Sequence, residues 1–105
     1  VFGGGPIGLA AIALAKAAGA SQIIAFDVST SRLESAKKMG ATSVYDPRTV
    51  NDLNELFLEL TYGRGVDFVV EAAGAPEHTL APLKMRLGVG ATITQIGRSE
   101  RPTPL

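Results

Sequence analysis

The chain has 105 residues, of which 46% are apolar and 19% are charged. This composition is typical of one globular domain with a modest core rather than of a disordered chain. Ten basic residues balance ten acidic ones, so no net charge attracts nucleic acid or an anionic membrane surface. Cysteine is absent, which excludes disulfides and thiolate metal sites within these residues and fits a reducing, cytoplasmic location.

The first part of the chain indicates whether it contains a membrane span or a signal peptide. Lys16 interrupts the longest apolar stretch well before it could span a membrane. The first residues have no basic leader, and three consecutive glycines favour a tight turn over a signal peptide. Because Val1 stands inside an apolar run, we expect one domain, residues 1–105, within a longer protein. We expect these residues alone to be poorly stable, since most of their first strand is missing.

Strand and helix patterns alternate from the start of the chain. Val1 and Phe2 resemble the end of a strand. A helix is predicted from about Pro6 to Ala18, with proline at its first position and Gly19 beyond its end. Residues 23–28 form a continuous apolar run up to Asp27, which indicates a strand that is covered on both faces of a parallel sheet.

The next unit is a helix followed by a short strand. Hydroxyl side chains at its start and a glycine at its end predict a helix over residues 29–40. Its buried face is predicted to carry Leu33, Ala36 and Met39. Residues 42–46 predict a strand, which Pro47 ends.

Two more helices and strands continue the alternation. Residues 51–62 have the i, i+3, i+4, i+7 apolar spacing of an amphipathic helix, and residues 66–74 predict a buried strand. A helix is predicted from Pro76 to Leu87, and residues 91–97 predict the last strand. Five strands separated by four helices imply right-handed crossovers and an α/β fold with a doubly wound parallel sheet, the Rossmann fold. The expected strand order is 3-2-1-4-5, with the first strand truncated.

A glycine-rich turn separates the first predicted strand from the first helix. Gly3, Gly5 and Gly8 match the pattern G-x-G-x-x-G in the position that dinucleotide binding requires. Gly3 permits the sharp turn, Gly5 lets a pyrophosphate approach the main chain, and Gly8 allows close packing of the helix. Since Pro6 has no N–H, Ile7 and its neighbours are the expected donors to the phosphates.

An acidic residue follows at the spacing that this pattern needs. Asp27 ends the second strand, nineteen residues after Gly8. A carboxylate there can accept hydrogen bonds from both ribose hydroxyls of adenosine, and its charge opposes a 2′-phosphate, which favours NAD over NADP. Taken alone, the glycines could form a turn without a ligand, and the aspartate could simply cap the next helix.

Four segments together strongly resemble the medium-chain dehydrogenases, most closely their zinc-containing alcohol, polyol and threonine dehydrogenase branch. They are VFGGGPIGLAAIALAKAAGA, DVSTSRLESAKKMGAT, GVDFVVEAAG and GATITQIG. The resemblance covers nearly the whole chain. It implies the NAD-binding domain of an oxidoreductase whose parent transfers hydride from a small-molecule alcohol to NAD. It also implies a homo-oligomeric parent, and a zinc that polarises the substrate oxygen from a separate catalytic domain.

The resemblance also assigns roles to residues. The pyrophosphate would be held by Gly3, Gly5, Pro6, Ile7 and Gly8. The adenosine ribose would be bound by Asp27, with Val28 and Arg32 bordering the adenine. The adenosine half would also be flanked by Ala72 and Ala73. The nicotinamide would lie near Ile96, Gly97 and Arg98, although the family often has a smaller or apolar residue at the last position.

No catalytic residue and no metal ligand is expected within the chain. His78 is its single histidine and has no predicted ligand partner, and Glu71 is expected to be structural. The 105 residues alone are therefore expected to show no turnover.

Three other classes of protein share part of the pattern. Flavin enzymes also have GGGP before an alanine-rich helix, but they usually leave the alternating pattern after the second strand. Methyltransferases combine a glycine-rich loop with a ribose-binding acid, but they seldom have this proline and third glycine. A non-catalytic nucleotide-binding module is compatible with the same residues.

Overall fold

The computed structural model of the chain describes residues 1–72 and 87–95. Helices and strands alternate along these residues, as predicted. The α-helices are α1 (Pro6–Ala17), α2 (Thr30–Met39) and α3 (Leu53–Leu60). The strands are β1 (Ile24–Phe26), β2 (Ser43–Tyr45), β3 (Val66–Glu71) and β4 (Leu87–Gln95). A single 3₁₀ turn, Pro47–Thr49, follows β2. None of the helices in this part of the chain has the length and apolar character needed to cross a bilayer.

The strand pairings in the described residues are all parallel. β1 pairs with β2, and β3 pairs with β4. Phe2 lies between these two pairs, because it bridges both Phe26 and Glu71. The spatial order is therefore β2, β1, Phe2, β3, β4, and α1, α2 and α3 lie in the connections that precede β1, β2 and β3. The predicted fold class, a doubly wound α/β sheet, is confirmed.

Apolar side chains cover both faces of the sheet at β1. On one face, the ring of Phe26 stacks on Phe2, with 4.8 Å between the ring centroids, and meets the edge of Phe57 at 5.5 Å. On the other face, Ala25 belongs to a second buried cluster with Ile12 of α1. Because neighbouring strand residues point to opposite faces, a continuous apolar run is what a strand between two cores requires.

Helix α1 packs against the turn that precedes it. A Cβ at Gly8 would lie 1.7 Å from the carbonyl oxygen of Gly3, so no larger residue fits there. Gly3 itself has φ of 107°, a conformation that side-chain-bearing residues rarely adopt. The backbone conformation at Gly3 and the packing at Gly8 therefore both require glycine. This matches the predicted sharp turn and close helix packing.

Two details of the predicted elements are wrong. Leu87 lies in a strand and pairs with Val66, so the last strand begins at Leu87 rather than at residue 91. Glycines at positions 88 and 90 disfavour a helix there. The rest of the helix predicted from Pro76 lies outside the described residues. Met39 is 40% exposed rather than buried, because it is the last residue of α2, where the helix leaves the packed surface.

Two neighbouring apolar residues of α1 provide a test of this packing. Ile12 is fully buried, whereas Leu14 is 70% exposed. We expect Ile12→Ala to lower the free energy of unfolding by about 2 to 5 kcal/mol, because it leaves a cavity. Leu14→Ala should change it by less than about 0.5 kcal/mol. Urea denaturation of the two variants of the intact protein measures both values, and equal losses would contradict the placement of α1.

Candidate cofactor-binding site

A cleft of about 380 Å³ opens where the strands end. Its lining consists of Phe2, Gly3, Gly5, Phe26, Asp27, Val28, Arg32, Pro47 and Ala72. Doubly wound sheets bind their ligands at this edge, outside the carboxyl ends of the strands. The structure therefore brings six of the predicted site residues into one cleft: Gly3, Gly5, Asp27, Val28, Arg32 and Ala72.

Gly5 differs from the other glycines of the turn. Its backbone is extended, with φ of −74° and ψ of −173°, which any residue adopts. A Cβ built on it would meet nothing within 4 Å. Neither conformation nor packing within the described residues therefore requires glycine at this position. The remaining explanation for glycine at this position is the open space of the cleft, which a side chain would enter.

The amino terminus of α1 faces this open space without a side-chain cap. Ser29 caps α2 and Asp52 caps α3, but Gly5, at the start of α1, has no side chain to do so. The amides of Ile7 and Gly8 have no hydrogen-bond partner among the described residues. Unpaired amides and the helix dipole make such a terminus favourable for a phosphate.

Asp27 also lines the cleft, where two main-chain amides hold its carboxylate. Gly4 N donates to its Oδ2 at 2.7 Å, and Ser29 N donates to its Oδ1 at 2.9 Å. The side chain is only 7% exposed, and the Arg32 guanidinium is 4.0 Å away. Each carboxylate oxygen still has a second lone pair, so Asp27 can accept two further hydrogen bonds without moving.

Three residues of the lining were not predicted as site residues. Phe2 and Phe26 form the floor of the cleft, and Pro47 forms part of its rim. Pro47 follows the strand that lies beside β1, so the rule that ligands bind at carboxyl ends of strands could have identified it. The phenylalanines carry no such signal, because in the sequence they are ordinary core residues.

The remaining predicted residues do not line the cleft or are not described. Pro6 and Ile7 have exposed side chains at the start of α1, and Gly8 is buried beneath the turn. Their predicted role involves the main chain, so it stays a prediction. Ala73, together with Ile96, Gly97, Arg98 and His78, lies outside the described residues.

A second hollow, of about 830 Å³, lies at the other ends of the strands. It is lined by residues that lead into β1 and β3, and by exposed apolar side chains such as Leu14 and Phe68. None of the predicted site residues lines it. We therefore place the candidate site in the smaller cleft, where the polar groups converge.

The described residues do not fit a zinc ion. They contain no group of three or more His, Cys, Asp or Glu side chains that could hold a metal, and the sequence has no cysteine. Structural and catalytic zinc sites need at least three such ligands. The described residues alone therefore form no zinc site.

The fold and the cleft define a nucleotide-binding domain of the doubly wound α/β class. A family of dehydrogenases described as "zinc-binding dehydrogenase" matches residues 6–105. The D-xylulose reductase A of Aspergillus oryzae is 38% identical over 110 residues, covering 100% of this chain and 30% of that protein. The chain belongs to the zinc-binding dehydrogenase family, which confirms the resemblance to zinc-containing medium-chain dehydrogenases.

Solved structures agree with this assignment. Benzyl alcohol dehydrogenase from Acinetobacter calcoaceticus superposes with a TM-score of 0.87 at 37% identity, covering 99% of this chain and 28% of that one. A structure from Sinorhizobium meliloti 1021 with NADP bound superposes with a TM-score of 0.84 at 27% identity, covering 99% and 31%. The chain thus spans about a third or less of the relatives that it matches.

The two glycines at the start of α1 should respond differently to the same substitution. Gly8→Ala should lower the free energy of unfolding by about 1 to 3 kcal/mol, because its Cβ collides with the Gly3 carbonyl. Gly5→Ala should change it by less than about 1 kcal/mol, because the native backbone suits alanine while alanine is a poorer N-cap than glycine. Chemical denaturation of the intact protein measures both. A strongly destabilised Gly5→Ala would show that packing, not the open cleft, demands glycine there.

Proposed function

We propose that residues 1–105 form the NAD-binding domain of a zinc-dependent alcohol or polyol dehydrogenase. In the parent protein, the nicotinamide of the bound cofactor accepts a hydride from a small-molecule alcohol. Relatives whose names specify D-xylulose and benzyl alcohol support an alcohol or polyol as substrate. The described residues supply binding and orientation, and no step of the reaction is assigned to them.

One arrangement carries the proposal: an uncapped helix terminus and a fixed carboxylate share one cleft. The free amides of Ile7 and Gly8 provide donors for the pyrophosphate, and the bare backbone of Gly5 lets it come close. Asp27 then accepts both hydroxyls of the adenosine ribose with its remaining lone pairs. A dinucleotide contains both a pyrophosphate and an adenosine ribose in one molecule.

The same carboxylate supports NAD over NADP. Asp27 is nearly buried and already held by two amides, so it cannot turn away from an added 2′-phosphate. A related structure has NADP bound, so NADP is the competitor against which NAD is compared. Arg32 could favour a phosphate, but its side chain is 61% exposed and 4.0 Å from the carboxylate. Repulsion from a fixed, desolvated charge outweighs attraction to a solvated one.

The same proposal assigns residues to the other parts of the cofactor. The adenosine half lies against Val28, Arg32 and Ala72. The roles proposed for Ala73 beside the adenosine half, and for Ile96, Gly97 and Arg98 near the nicotinamide, concern residues outside the described part of the chain. The parent is proposed to be a cytoplasmic homo-oligomer that binds neither nucleic acid nor membranes. The balanced charge supports the latter, and β4, an edge strand among the described residues, offers a surface for self-association.

A ligand panel tests the proposal. We expect NAD to raise the melting temperature of the intact protein more than NADP, with no effect of FAD or S-adenosylmethionine, because only a bound ligand stabilises the folded state. Gly5→Ala keeps the fold by the argument above, and it should weaken NAD binding by about tenfold or more, since ~1.4 kcal/mol is one decade. Stabilisation by FAD alone would overturn the assignment.

Asp27→Ser tests the ribose contact. NAD affinity should fall by about tenfold to hundredfold, the range for hydrogen bonds to a charged group, while NADP affinity falls less or rises. Isothermal titration calorimetry with both cofactors measures the preference directly. Asp67→Ser is the matched control, because it removes the same charge from an exposed position of β3 outside the cleft. An unchanged preference in Asp27→Ser would refute the role of this carboxylate.

A further inference from the structure

A group of hydrogen bonds joins two loops at the rim of the cleft. We propose that Arg48 is a positioning residue for the adenine of the cofactor. Its guanidinium ties the loop after β2, which carries Pro47, to the loop after β1, which carries Val28. This inference rests on the proposed function, since it requires an adenosine in the cleft.

The Arg48 side chain makes contact on both sides. Its Nε donates to the two oxygens of Asp46 at 3.1 and 3.2 Å, and its Nη2 donates to Oδ2 at 2.7 Å. The same Nη2 donates to the carbonyl oxygen of Val28 at 3.2 Å. Asp46 is itself fixed, because its Oδ1 accepts from the Arg48 amide at 2.9 Å at the start of the 3₁₀ turn.

The hydrogen bond from Arg48 to Val28 lies beyond the last main-chain hydrogen bond between β1 and β2, where strand pairing no longer fixes the distance between the two loops. The last main-chain bond between the two segments runs from Asp27 N to Tyr45 O, at 3.2 Å. Beyond it, within residues 28–50, the contact of Arg48 with Val28 is the one hydrogen bond between the loops. Val28 and Pro47 both line the cleft. The separation of these two apolar walls therefore depends on Arg48.

The charge of Arg48 is neutralised by its neighbour rather than offered to the ligand. Arg48 donates to the Asp46 carboxylate and holds the pKa of that carboxyl below its usual range. The pair stays ionised at neutral pH and carries no net charge. Its effect on a bound cofactor is thus expected to be geometric: it sets the width of an apolar slot suited to a flat purine.

Arg48→Ala in the intact protein tests this geometry. The measurement is the ratio of the dissociation constants of NAD and of its 1,N6-ethenoadenine analogue, which differ only at the base. We expect the preference for NAD to fall by about threefold to fivefold, as befits an exposed charged pair. The preference should fall almost as far in Arg48→Lys, because a single ammonium nitrogen cannot replace the two separate nitrogens of the rigid guanidinium fork. Arg64→Ala, which removes an exposed arginine outside the cleft, should keep the wild-type ratio.

The outcomes separate this inference from the proposed function. A wild-type protein that binds neither dinucleotide would refute the function and the inference with it. Wild-type binding with an unchanged ratio in Arg48→Ala would overturn the inference alone, as would an equal loss for both ligands. A lysine variant that matches the wild type would show that charge, not bridging, is what matters, and would likewise overturn it.

Discussion

The hydrogen bond from the Gly4 amide to the Asp27 carboxylate links the two halves of the cleft. Gly4 lies in the glycine-rich turn and Asp27 directly follows β1, so a 2.7 Å contact fixes the position of each relative to the other. A Cβ at Gly4 would come within 3.1 to 3.3 Å of Arg32 and Asp27, so glycine keeps this contact short. In the proposed function, the phosphate and ribose sites are therefore preset before the cofactor binds, which lowers the entropic cost of binding.

The glycines of the turn serve different physical purposes. Gly3 is required by its positive φ, and Gly8 by the closeness of a carbonyl oxygen. Gly5 meets neither requirement, although it costs conformational entropy on folding. A position whose backbone and packing would accept a larger residue points to a partner outside the chain. This distinction makes the turn more informative than its spacing alone.

Local signals predicted most of the fold, and these signals together with the family resemblance predicted six of the nine residues that line the cleft. Caps, glycine stops and apolar runs identified α1, α2, α3 and the strands, because those features act within a few residues. The spacing after Gly8 identified Asp27, and the family resemblance identified Val28, Arg32 and Ala72. Pro47 and Arg48 were missed because their role depends on which loop lies beside β1, which is a property of the sheet. The start of β4 was missed because Leu87 gains its partner from Val66, far away in the chain.

Arg48 and Asp27 contribute to the binding of different parts of the proposed ligand, the adenine and the ribose. Asp27 is held by main-chain amides, so its position follows from the backbone and tolerates little adjustment. Arg48 acts through an exposed side chain that spans two loops, so the slot between Val28 and Pro47 can adapt at modest energetic cost. A domain built this way would discriminate strictly at the ribose and loosely at the base. That order suits cofactors such as NAD and NADP, which differ at the ribose and share the same adenine.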